Sequence, residues 1–122
     1  MAAKKIILIE DNKPIKKLFK TVLTKEGFEI HDFSNAKDAL EWLKNNEPDL
    51  IISDILLPDL SGSELLDEIK KVVDLDTHKA IAVTGFASEA DKNKYLQEGF
   101  IDYITKPVNT KDFVKKIKEL VN

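Results

Sequence analysis

The feature that most constrains this chain is a repeated alternation of short apolar runs with longer stretches of helical periodicity. Residues 6–9, 50–52, 80–83 and, more weakly, 101–104 are apolar, bounded by polar residues and too short for helices. Such runs read as strands buried on both faces. Between and beyond them, Ile15, Leu18, Phe19, Val22 and Leu23 fall at i, i+3, i+4, i+7 and i+8, and Ala36, Ala39, Leu40 and Leu43 keep similar spacing. Leu65, Leu66, Ile69, Val72 and Val73 form another stripe, and Phe113, Val114, Ile117, Leu120 and Val121 the last. A weaker pattern near 89–97 completes five helices and is expected to be the most mobile. Phe28 and Ile30 alternate with Glu29 and His31, the mark of a half-exposed edge strand.

Punctuation agrees with this reading. Pro14 suits a first helical turn, Gly27 and Gly99 follow helices, Ser34 or Asn35 can cap the second helix, and Pro48 precedes a strand. Strand then helix, five times over, requires a parallel sheet with helices on both faces, because the crossovers are right-handed. The predicted fold is a doubly wound α/β (βα)5 three-layer sandwich with strand order 2-1-3-4-5. Its ligand crevice lies at the carboxyl ends of strands 1 and 3, where the winding reverses.

A chain of 122 residues, 43% apolar, fits one domain, 1–122, with no output domain. The net charge of -3 offers no global positive field, so neither nucleic acid nor membrane is an expected partner. All 19 basic residues are lysine, so an anion site must use lysines, backbone N–H groups or a cation. The absence of cysteine removes thiolate metal sites, disulfides and thiol nucleophiles. No apolar run is long enough for a signal peptide or a membrane span, which places the expected protein in the cytoplasm.

The residues at the ends of the buried strands are Glu10 and Asp11, Asp54, Thr84 and Gly85, and Lys106 and Pro107. Strands 1 and 3 are predicted neighbours, so Glu10, Asp11 and Asp54 share one crevice. Two carboxylates about 4 Å apart repel by roughly 4 kcal/mol at the dielectric suited to protein surfaces. A hard divalent cation such as Mg2+ is the economical partner for three. Zinc is disfavoured, since neither His31 nor His78 belongs to this rim. With Lys106 and the Thr84 hydroxyl added, the crevice can hold phosphoryl oxygens, and Asp54, central and single, is the candidate nucleophile for an acyl phosphate. Gly85 leaves room for the incoming group.

The run from Ile6 through Glu10, Asp11 and Asn12, the stretch Ser53-Asp54-Ile55-Leu56-Leu57-Pro58 with Gly62, Val83-Thr84-Gly85, and Tyr103-Ile104-Thr105-Lys106-Pro107 together resemble the receiver domain of two-component response regulators, of the stand-alone chemotaxis-regulator type. The likeness covers essentially the whole chain. It implies that Asp54 is phosphorylated by a histidine kinase or histidine phosphotransfer protein, and that Asp11, Asp54 and the backbone carbonyl of Leu56 bind Mg2+, or Mn2+ in its place. It further implies that Glu10 holds the metal through water, that Lys106 pairs with a phosphoryl oxygen, and that Lys106–Pro107 is a cis peptide. Thr84 and Tyr103 match the family's switch pair. Their movement would alter the face made by the fourth helix, fifth strand and fifth helix, which an unknown downstream protein reads. The implied state is a monomer, with a phosphorylation-dependent dimer as the alternative.

Leu56 and Phe86 stand where relatives often carry polar residues. They are expected to shield an acyl phosphate and slow its hydrolysis, which Asn or Glu in either place would undo. Two other classes share parts of the pattern. An aspartyl-phosphate-forming phosphatase or phosphotransferase would use Asp-x-Asp, and position 56 is Leu; a flavodoxin-like or nucleotide-binding module would need a glycine-rich loop after the first strand. Asn12 reads best as a helix cap. His31 and His78 read as ordinary exposed residues, and Trp42 falls off the apolar stripe of its helix.

Overall fold

The computed structural model describes residues 3–55, 59–73, 79–85, 89–106 and 108–121. Leu56, Leu57, Pro58, His78, Phe86 and Pro107, on which several expectations rest, lie outside them. Along the chain run β1 (Lys5–Ile9), α1 (Lys13–Lys25), β2 (Glu29–Phe33), α2 (Ala36–Leu43), β3 (Leu50–Asp54), α3 (Gly62–Lys70), β4 (Lys79–Thr84), α4 (Glu89–Glu98), β5 (Asp102–Thr105) and α5 (Thr110–Val121). The strands form one parallel sheet in the order β2-β1-β3-β4-β5, as predicted. Among the described residues, no helix is long and apolar enough to cross a membrane.

Side chains alternate across a strand, so each central strand feeds two cores. Ile7, Ile9, Ile51, Ala80 and Ala82 pack with α2, α3 and the Tyr95 side of α4. Ile6, Leu8, Leu50, Ile52, Ile81 and Val83 pack with α1 and α5, where the Phe19 and Phe113 rings stack at 4.5 Å. Full burial of such side chains contributes about 1.5–3 kcal/mol each, so β1, β3 and β4 anchor the molecule. The caps follow local chemistry. The side chain of Asn12 accepts from the Ile15 N–H, Asn35 accepts from Asp38, and Ser61 and Glu64 form a reciprocal capping box. Gly27 and Gly99 take φ of 91° and 127° after α1 and α4, a region L side chains avoid.

Three expectations are corrected. Residues 101–104 do not form a strand buried on both faces: β5 begins at Asp102, only Ile104 in it is buried, and Ile101 is 40% exposed, because β5 is a sheet edge. Leu18 is 45% exposed rather than part of the core stripe, since α1 is seated on Phe19 and Leu23 and turns Leu18 to the flank. Val72 falls in the turn after α3 and is likewise exposed. Trp42 is half-buried, its ring 4.7 Å from that of His31 and 6.5 Å from that of Phe33, and so packs on the face of β2 that α2 covers.

Candidate functional site

The alternation that builds the two cores also sorts the side chains at the strand ends. Carried one residue past β1 and β5, it puts Glu10 in phase with Ile6 and Leu8, and Lys106 in phase with Ile104, on the α1 and α5 side of the sheet. Asp54, the last residue of β3, is in phase with Leu50 and Ile52 on that same side. Thr84 and Tyr103 take the opposite phase, with Ala82 and the α2, α3 and α4 core. Strand geometry alone therefore directs Glu10, Asp54 and Lys106 to one side of the rim.

Lys106 ties the other two together. Its Nζ donates to Glu10 Oε1 at 2.7 Å and to Asp54 Oδ2 at 3.3 Å. Glu10 is 1% and Asp54 7% exposed, while Asp11 is exposed to solvent. One carboxylate oxygen from each of Glu10, Asp11 and Asp54 lies within 4.8 Å of the others. The backbone supports the cluster: Glu10 N–H donates to Phe33 O, Ile55 N–H to Val83 O, and Lys106 N–H to Thr84 O at 2.8 Å. Beside the buried Thr84, a Cβ built on Gly85 would meet no atom of the described residues within 4 Å.

The electrostatics follow from burial. Desolvation, reinforced by the neighbouring Asp54 carboxyl, pushes Glu10 from 4.5 up to about 7 against the pull of Lys106. For Lys106, burial works to lower the pKa, but the hydrogen bond and charge of Glu10, followed by those of Asp54, outweigh it and leave the ammonium above its ordinary value. The Lys106 ammonium thus pairs with two of the three carboxyl groups at the rim. Among the described residues, Glu10 Oε2 is a buried oxygen with no hydrogen-bond partner. Hard oxygen donors, excess negative charge and an unsatisfied buried oxygen fit a divalent cation of the magnesium type. His31 is remote in role: it pairs with Glu29 at 2.7 Å on the edge strand.

The structure thus brings together Glu10, Asp11, Asp54 and Lys106, with Thr84 at the adjoining strand end. Tyr103 sits apart on β5, where the Lys116 ammonium lies 5.9 Å from its ring centroid and pairs with Asp102 at 3.2 Å. Leu56, the expected carbonyl ligand, lies outside the described residues. Sequence reasoning missed Asp59, whose two carboxylate oxygens accept from the Ala36 and Lys37 N–H groups at 2.9 Å each. It ties the segment after β3 to the start of α2, a contact across 23 residues that no local motif announces.

Comparison with known proteins agrees with this geometry. The response regulator receiver domain family matches residues 6–118. A solved CheY-like receiver domain protein from Methanospirillum hungatei JF-1 is 36% identical, superposes with a TM-score of 0.89, and is matched over 98% of this chain and 94% of its own. A two-component response regulator from Clostridium difficile is 27% identical with a TM-score of 0.89, over 97% of this chain and 95% of that one. An uncharacterized 14.6 kDa protein from Leptolyngbya boryana is 32% identical over 98% of this chain and 91% of its own length. The chain belongs to the response regulator receiver domain family.

Proposed function

We propose that Asp54 is a phosphoryl acceptor, charged by a histidine kinase or histidine phosphotransfer protein, and that the chain passes the signal on by protein contact. The observation that carries this reading is the rim itself: Lys106 bridges Glu10 and Asp54, and the oxygens of Glu10, Asp11 and Asp54 lie within 4.8 Å of one another. In the transfer, an Asp54 carboxylate oxygen forms a new P–O bond while the P–N bond to the donor imidazole breaks. The imidazole nitrogen keeps the electron pair and takes up a proton.

Lys106 is the group that meets a phosphoryl oxygen, and the Thr84 hydroxyl donates to another, with Gly85 leaving space beside it. Mg2+, or Mn2+, would be held by Asp11, Asp54 and the Leu56 carbonyl, with Glu10 acting through water. When bound, it supplies the positive charge that neutralises the transferred oxygens. Thr84 and Tyr103 act as the switch pair, and α4, β5 and α5 form the face read by a downstream protein. Coupling of this kind amounts typically to about 1–3 kcal/mol.

Incubation with Mg2+ and acetyl phosphate, followed by intact-mass measurement, tests the reading. A gain of one phosphoryl group, lost in Asp54→Asn and on chelation, is the expected result. An unchanged mass in the wild-type chain, or a gain that survives Asp54→Asn, overturns it.

A further inference from the structure

Asp59 does more than the start of a helix demands. Its Oδ1 accepts from the Ala36 N–H and its Oδ2 from the Lys37 N–H, both at 2.9 Å. The N–H groups of Asp59 itself and of Leu60 also favour the charged carboxylate. Hydrogen bonds to an ionised acceptor are about twice as strong as neutral ones. Yet α2 already has a cap of its own, since Asn35 accepts from the Asp38 N–H at 2.8 Å. Asp59 comes from a different part of the chain, five residues past Asp54.

The backbone that Asp59 grips is itself fixed. Ala36 is fully buried in the core under α2 and α3. Just ahead of it, Phe33 O accepts from the Glu10 N–H at 3.0 Å, and the Ser34 hydroxyl accepts from the Lys16 ammonium of α1. The turn from β2 into α2 is thereby tied at once to the rim, to α1 and to Asp59. On the side of Asp54, Ile55 is buried and its N–H donates to Val83 O at 3.1 Å. Leu60 packs on the core and Ser61 opens α3 with its capping box. The chain that follows Asp54 is thus held at Ile55 and again at Asp59. The contacts close into a ring: Glu10 to Phe33, Ala36 to Asp59, and Ser53 back to Ile9 through the sheet.

We infer that Asp59 is a positioning residue for the Asp54 site: by gripping the start of α2, it holds the chain that follows Asp54 in place against Glu10 and Asp11. The inference rests on the phosphoryl-acceptor reading given above and adds to it a residue that acts on Asp54 through the chain, not by meeting the phosphoryl group. A residue that merely capped α2 would leave the rim indifferent to its loss. A positioning residue does not, because displacing a reacting group by about 1 Å can cost about a hundredfold in rate.

The test compares the full chain with Asp59→Ala, Asp59→Asn and Asn35→Ala at a temperature where circular dichroism shows each to be folded. Asn35→Ala removes a cap of α2 but leaves Asp59 in place, so it controls for a weakened helix. Three quantities are read: the Mg2+ dissociation constant from amide shifts, the rate of phosphoryl gain at saturating Mg2+ as acetyl phosphate is varied, and hydrogen exchange of the Ile55 amide in chelator. Asp59→Ala should weaken Mg2+ binding by about tenfold, the lower end of the range for residues that orient metal ligands. It should lower the maximal rate by about tenfold or more while the half-saturating acetyl phosphate concentration stays within about twofold, the mark of lost geometry and not lost donor binding. Ile55 exchange should quicken. Asp59→Asn, which keeps one acceptor oxygen, should fall between, and it carries the same expectations if Asp59→Ala does not fold. Asn35→Ala should match wild type in all three. Equal effects in Asp59→Ala and Asn35→Ala, or wild-type Mg2+ affinity and rate in the Asp59 variants, overturn this inference alone. A wild-type chain that takes up neither Mg2+ nor a phosphoryl group overturns the reading of Asp54 and this inference with it.

Discussion

Lys106 donates to two buried carboxyl groups at once, so its removal exposes the energetics of the rim. In Lys106→Met, Glu10 and Asp54 lose their shared donor, and a hydrogen bond to a charged group contributes about 1.5–3 kcal/mol. Denaturant unfolding should show the larger loss above pH 7, where Glu10 is ionised, and a smaller one near pH 5. Glu10 itself supplies a second expectation. Its folded value, about 7, lies above the ordinary 4.5, so ionisation opposes folding. That cost is absent below about 4.5, grows as pH rises to about 7, and is complete above it. In chelator, Glu10→Gln should therefore gain stability relative to wild type across that window, and a difference independent of pH would refute this account. These residues were legible in the sequence because a buried strand announces its own end, and the residue beyond it must lie on the rim. The pairing of Lys106 with Glu10 more closely than with Asp54 was not legible, since it depends on tenths of an ångström in the strand register.

At the scale of elements, α2 depends on a distant residue. Asn35 accepts from Asp38, and Asp59 accepts from Ala36 and Lys37, so three of the N–H groups left open at the start of α2 have side-chain partners. Slight burial pushes Asp59 upward, but the Ala36 and Lys37 N–H groups outweigh it and hold the carboxyl below its ordinary 3.8. Its stabilisation is present above that value and is lost as pH falls through the lower folded one. Asp59→Ala should cost about 1 kcal/mol at neutral pH, as loss of a helix cap does, with less effect in strong acid. The fourth helix makes the opposite case. Tyr95 is its buried side chain among those described, whereas α1 buries Phe19 and Leu23 and α5 buries Phe113 and Ile117. Hydrogen exchange should therefore open α4 amides before those of α1 and α5. Helix stripes were readable from spacing, but spacing cannot distinguish the middle of a stripe from its flank. Leu18 was thus misplaced, because only the packing of Phe19 on Phe113 fixes how α1 is rotated.

For the whole molecule, topology was the most legible property: right-handed crossovers leave few ways to arrange five βα units, and the order β2-β1-β3-β4-β5 is one of them. That order also makes ion binding a global matter, since Glu10 and Asp11 follow β1 while Asp54 ends β3, and these strands are hydrogen-bonded neighbours in the centre of the sheet. A cation held across them would gain its ligands only when the sheet is assembled, so it would bind the folded chain and not the unfolded one. Mg2+ should consequently raise the thermal midpoint with its concentration, by about 2.7 kcal/mol of stability at a free concentration one hundred times the dissociation constant. Asp11→Asn should remove most of the increment while altering the ion-free midpoint little, because Asp11 is exposed and its carboxylate is not part of the core. The same titration in Glu10→Gln separates the roles of the two acids: if Glu10 acts through water, the increment shrinks but persists, and if its carboxylate is indispensable, it vanishes. A midpoint insensitive to Mg2+ in the wild-type chain would mean that Lys106 alone balances the rim.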